Sequence, residues 1–245
     1  MSLPRDLSGY PLFMYFLSGY LSRSRNDDLN FPPGEPRIFE LYEQLFQSAL
    51  EALSLTKEDL RRKQGLNFDD RDAKNLEGGI AMLRVVNALA LERFRNIVLL
   101  KQPKNAPGAD IVCERNGQRV CLEVKAITKQ SRGHRGCFLE DQLYKKIVDT
   151  LPHARKQLQA TAKELHIPVK IFACVVNWFA QSICLTQGNY QRIVNKLERH
   201  QDCESLKGVE GVFFVTKMGQ QHLFLNERGH RLLGQPSELS RSMLM

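Results

Sequence analysis

The sequence predicts an α/β fold: a mixed central sheet flanked by helices, with a mainly helical region before it (residues 1–70) and an α/β extension of the same domain after it (181–245). Three observations carry this reading. Asn116-Gly117, set between two alternating runs, is a strong two-residue hairpin signal, because a type I′ turn needs φ > 0 at both central positions. Long stretches with apolar residues at helical spacing stand on either side of that hairpin. The run "IPVKIFACVVNW" is continuous, apolar and of strand length, as expected of a strand covered on both faces in a parallel arrangement.

Taken in order, residues 7–21 read as an aromatic helix packing on the body, and 24–36, "SRNDDLNFPPGEP", as a polar, Pro-rich loop. "IFELYEQLFQSALEAL" has helical periodicity. "TKEDLRRKQGLNFDDRD" is polar, and its Arg61, Arg62 and Lys63 read as a solvated face. Asp72 is a candidate N-cap for a helix with Leu76, Ile80, Leu83, Val86, Ala90 and Phe94 on one face, feeding a strand at 96–100. Gly78 and Gly79 cost that helix about 1 kcal/mol each, consistent with a close backbone approach or a frayed start. The hairpin strands follow, then a loop, then a helix from about Leu139 with Leu143, Ile147, Leu151, Leu158 and Leu165 on one face, expected to kink at Pro152. Residues 71–180 thus read helix, three strands, helix, strand. "NYQRIVNKLERHQD" is a further helix, and "GVFFVT" and "QHLFLN" are strands before a polar tail.

The hairpin fixes its own register. With Asn116 and Gly117 as the loop, Arg115 faces Gln118, Val112 faces Cys121 and Asp110 faces Glu123. The strand period of two sends Ile111, Cys113, Val120, Leu122 and Val124 to a core face, and leaves Val112 and Cys121 as an apolar floor leading to Asp110, Glu123 and Lys125 on the other. Carboxylates about 5 Å apart repel by roughly 3 kcal/mol at an effective dielectric of about 20. A hard divalent cation relieves that repulsion, and Mg²⁺ is typically held by one or two carboxylates. The alternative is a solvent-facing hairpin end on which Lys125 bridges the two acids in a weak surface pair.

Composition narrows the partners. The chain has 245 residues, 35 Lys and Arg against 27 Asp and Glu, a net charge of +8 and a pI near 9.2, a balance that favours a polyanionic partner such as nucleic acid. The six cysteines form no CxxC pair and no zinc-like spacing, which fits reduced thiols in a cytoplasmic protein. "YPLFMYFLSGYL" is too short and too broken by Pro and Gly to span a bilayer, so no membrane is expected.

"GAD" at 108–110, "EVK" at 123–125, their place on consecutive hairpin strands, and the order of elements over 72–178 together resemble the PD-(D/E)XK nuclease superfamily, whose core is restriction-endonuclease-like (αβββαβ). Ala109 departs from the family pattern, standing where it has Pro. The resemblance implies that Asp110 and Glu123 are ligands of Mg²⁺, for which Mn²⁺ would substitute, joined by the Val124 carbonyl, and that Lys125 assists the attacking water. Some members add an acid from the helix before the first strand. Glu77 is the match, with an ordinary helix-dipole role as its alternative. The helix after E-x-K offers Gln142 and Lys146, and the loop offers Lys129, Arg132, His134 and Arg135, as contacts to nucleic acid.

The function this implies is a metal-dependent nuclease, most naturally an endonuclease on DNA, hydrolysing phosphodiester bonds with a metal-activated water. Cutting both strands of a duplex would call for a homodimer. The alternative is a non-catalytic nucleic-acid-binding or assembly module that retains the fold.

Overall fold

In a computed structural model, residues 8–21, 37–63, 73–100, 108–127, 140–176, 186–199, 206–216 and 221–235 are described. Six strands form one mixed sheet in sequence order. They are β1 (Arg95–Leu99), β2 (Ile111–Arg115), β3 (Gln118–Ile127), β4 (Val169–Val176), β5 (Gly211–Thr216) and β6 (Gln221–Leu225). β1, β2 and β3 are antiparallel neighbours, β3–β4–β5 are parallel, and β6 returns antiparallel to β5. The helices are α1 (Pro11–Leu21), α2 (Arg37–Leu53), α3 (Lys57–Arg62), α4 (Ala73–Leu91), α5 (Glu140–Leu165), α6 (Gln187–Arg199) and α7 (Glu227–Leu233).

Strand alternation sorts the sheet's side chains into two cores. Ile111, Cys113, Val120, Leu122 and Val124 join Ile171, Phe213 and Leu223 under α1, α2 and α4, where Phe13, Phe46, Leu76 and Val86 are buried. Val112, Cys121, Phe172, Cys174 and Phe214 face the opposite way, beneath Leu143, Ile147, Leu151 and Leu158 of α5 and Tyr190 and Ile193 of α6. The parallel steps β3–α5–β4 and β4–α6–β5 therefore lay their helices on one face, while the N-terminal helices cover the other. The hairpin face expected to be an apolar floor is indeed apolar, and it is roofed by a helix.

The order helix, three strands, helix, strand is present over Ala73–Val176. α5 passes Pro152 as one helix. Asp72 and Trp178 lie outside the described residues. α4 runs through the Gly pair, and a Cβ at Gly78 would meet nothing within 4 Å, so close packing is not what requires glycine there. Two short helices escaped the sequence reading. α3 is capped by Thr56, whose hydroxyl accepts the Asp59 N–H, and Arg61 of the supposedly solvated stretch donates to the Tyr15 carbonyl at 2.7 Å. α7 is capped by Asn226, and its Gly229 packs where a Cβ would stand 2.5 Å from the Glu210 carbonyl oxygen. Cys113, Cys121 and Cys174 are free, buried thiols. Among the described residues no helix is long and apolar enough to cross a membrane.

Candidate active site

The turn sets the site. Asn116 (φ 51°) and Gly117 (φ 73°) adopt the left-handed conformations a type I′ turn needs, and the ladder runs Arg115↔Gln118, Val112↔Cys121, Ile111↔Leu122. One position further the Asp110 N–H still donates to the Leu122 carbonyl at 2.9 Å, and the Leu100 N–H donates to the Asp110 carbonyl at 2.8 Å. Asp110 is thereby held across from Glu123, on the face that α5 covers.

Both carboxylates are buried, Asp110 at 8% and Glu123 at 1% exposure. One Asp110 oxygen, Oδ2, accepts the Val124 N–H at 2.8 Å. Lys125 Nζ donates to Glu123 Oε1 at 2.5 Å and to Gln157 Oε1 at 3.2 Å, and Gln157 Nε2 donates to the Gly108 carbonyl at 3.2 Å. One helical turn on, Thr161 Oγ1 accepts the Ala109 N–H at 2.8 Å. Two α5 side chains therefore pin the backbone that leads into Asp110, and one of them also holds Lys125.

Glu123 Oε2 is buried and finds no hydrogen-bond donor. Burial first, and the adjacent Asp110 charge second, push the Glu123 carboxyl up to about 8, outweighing the opposing pull of Lys125. A solvent-facing surface pair would show neither the burial nor this shift, so the bland alternative does not describe this hairpin end. An orphaned buried carboxylate oxygen beside a second carboxylate fits a hard divalent cation, whose usual protein ligands number one or two carboxylates. Among the described residues no group of three His, Cys, Asp or Glu side chains gathers to hold a metal.

Asp110, Glu123 and Lys125 are thus brought together as read from the sequence, with Val124 between them in β3. Glu77 is not brought to the pair. It sits early in α4, on the opposite face of the sheet, where its charge acts on Tyr42 and on Arg84. Arg84 in turn reaches the carbonyl of Thr216 at the end of β5. Lys129, Arg132, His134 and Arg135 lie outside the described residues. Gln142 falls in the first turn of α5 and Lys146 a turn later, half-buried. Gln157 and Thr161 were missed. Their sequence signal is faint: two polar residues one turn apart at the border of the apolar stripe Ala154 and Leu158, where both are buried.

Compared with protein-family models, curated proteins and solved structures, the chain gives no match in any of the three.

Proposed function

We propose that the chain is a metal-dependent nuclease with a restriction-endonuclease-like core, acting on DNA. The observation that supports this best is the buried pair Asp110 and Glu123, left with an orphaned oxygen and adjoined by a lysine that is itself held in place. Two buried acids side by side oppose folding unless a proton retained on one of them, or a cation, relieves their repulsion. Lys125 supplies one charge, and it binds the oxygen opposite the orphan. That leaves the Oε2 side of Glu123, next to Asp110, for a cation.

Asp110 and Glu123 would hold Mg²⁺ or Mn²⁺, with the Val124 carbonyl adjacent. When bound, such an ion lowers the pKa of water and polarises a phosphoryl oxygen. Hydrolysis forms a bond from a water oxygen to phosphorus and breaks the bond from phosphorus to the leaving sugar oxygen. Lys125, poised between Glu123 and Gln157, is placed to offset charge developing on the phosphate. Gln157 and Thr161 fix the position of Lys125 and of the 108–110 backbone relative to each other, so the acids and the ammonium stay in register.

The test is a panel of supercoiled, linear, single-stranded and branched DNA, with RNA beside it, incubated with Mg²⁺ or Mn²⁺ and either the native protein or Asp110→Asn. Cutting that needs the metal and is lost in the variant supports the reading and identifies the substrate. No cutting on any member of the panel, with nucleic-acid binding indifferent to chelator, would replace it with a non-catalytic binding module.

A further inference from the structure

β6 closes one edge of the sheet, so a single ladder, to β5, holds its backbone. The register sets Cys174 of β4, Phe214 of β5 and His222 of β6 in one row, on the face that α6 covers. Tyr190 of α6 lies against that row, its ring centroid 4.7 Å from Phe214 and 5.1 Å from His222. Phe224 completes an aromatic box, 5.9 Å from Phe214 and 6.5 Å from His222. His222 is only 6% exposed, although it stands on an edge strand.

This imidazole is packed to be neutral. Among the described residues its buried Nδ1 meets no hydrogen-bond partner, and neither does the buried Tyr190 hydroxyl beside it. A proton on the ring would set a positive charge against aromatic walls. Tyr190 and Phe224 attract a cation weakly, but a buried charge needs an anion to pair with. The titratable groups that face the ring are Tyr190 from α6 and, one strand past Phe214, Cys174 from β4. Burial raises the pKa of both, so neither is an anion in neutral or acid solution. The α6 cations Arg192 and Lys196 turn away to Glu140 and Asp141 of α5, and Glu198 and Arg199 are exposed at the far end of α6. Glu210, just before β5, is paired with Lys170 and with Arg228 of α7. Glu227, His230 and Arg231 belong to α7, which buries Leu233 in the core on the opposite face. Burial therefore lowers the His222 pKa with no carboxylate among the described residues to oppose it.

We infer that the β6 edge is an acid-sensitive latch: neutral His222, stacked on Tyr190, fastens β6 to α6, and its protonation releases that edge while the rest of the sheet stays folded. An edge strand with one ladder is the part of a sheet that opens at least cost. The latch is separate from the Asp110–Glu123 pair and holds whether or not the chain cuts DNA. Its sign follows from linkage. The folded pKa of His222 lies under the ordinary value of 6.5, so its contribution to stability is complete above pH 6.5 and is lost as pH falls below it. Glu123 works in the opposite direction, because its raised carboxyl strengthens the fold as pH falls.

Amide hydrogen exchange read by NMR on the full chain, from pH about 7.5 to about 5.5 and corrected for intrinsic exchange, tests the latch. The His222 ring is titrated in the same samples, with the exposed His153 and His166 as reference resonances. The β6 amides are expected to be less protected than those of β2 and β3, and to lose up to about tenfold in protection over that range. His222 should titrate below 6.5, in step with the loss. His222→Phe keeps an aromatic ring in the box and takes up no proton, so its β6 protection should not fall with pH. A His222 midpoint at or above 6.5 would overturn the latch. So would the same acid-dependent loss in His222→Phe, or β6 amides as well protected at the acid end as those of β2 and β3, which would mean that nothing opens short of global unfolding. The native titration and exchange decide the matter by themselves if His222→Phe does not fold.

Discussion

Glu123 is the residue on which the chemistry turns. Its carboxyl is raised to about 8, chiefly by burial, so the folded protein holds that proton more tightly than the unfolded chain, where a glutamate titrates near 4.5. The stability this contributes is complete below pH about 4.5 and is lost as pH rises toward 8. In chelator, Glu123→Gln should therefore melt at nearly the same temperature as the native protein at pH 4.5 and progressively higher than it toward pH 8, a gap on the order of a few kcal/mol. A constant gap across that range would mean that Glu123 is not a strained buried acid. Gln157 allows a second residue-scale prediction. Gln157→Ala should lower turnover about tenfold and add little in a Lys125→Ala background, because both changes remove the same contact, a coupling that a double-mutant cycle reads directly. Asp110, Glu123 and Lys125 were legible because turn chemistry fixes the register and the register fixes the face. Gln157 was not, because nothing local tells a helix residue which strand it will meet 32 positions back in the chain.

At the scale of elements, the hairpin announces itself through its Asn-Gly turn, β4 through its continuous apolar run and the long helices through periodicity, and each forms where it was expected. α3 and α7 did not, since six and seven residues are too few for a periodic signal. What makes them is capping by Thr56 and Asn226 and tertiary packing. α7 is clamped at both ends: Arg228 meets Glu210, and Asn116 at the hairpin tip donates to the Leu233 carbonyl at 2.7 Å. Gly229→Ala, forced against the Glu210 carbonyl, should destabilise the fold by about 1–3 kcal/mol in denaturant unfolding. An unchanged midpoint would show that α7 is only loosely seated. Glu77 marks the limit of sequence reading for α4. Its place in the helix before the first strand was legible, but which face of the sheet that helix would cover was not.

On the scale of the whole molecule, the sheet couples everything. The mainly helical N-terminal region packs on the body: Phe46 of α2 shares one buried cluster with Val86 of α4 and Leu122 of β3. Phe46→Ala should accordingly cost about 3–5 kcal/mol and lower the single unfolding transition of the entire sheet. Two transitions, with the sheet unaffected, would make the N-terminal helices an independent unit. The mixed sheet, its flanking helices and the element order were all legible from patterning; the roofing of the acidic face by α5 was not, because amphipathicity gives a helix its buried side without naming the surface it will bury against. That roof is what turns two carboxylates on a hairpin into a buried pair with one Glu123 oxygen orphaned. The most direct test of its meaning is the initial rate of DNA cleavage across a Mn²⁺ titration for the native protein and Glu123→Gln. A saturable rate in the native protein that chelator abolishes and the variant lacks is the predicted result. Equal rates in the two proteins, or a rate that chelator leaves unchanged, would contradict it.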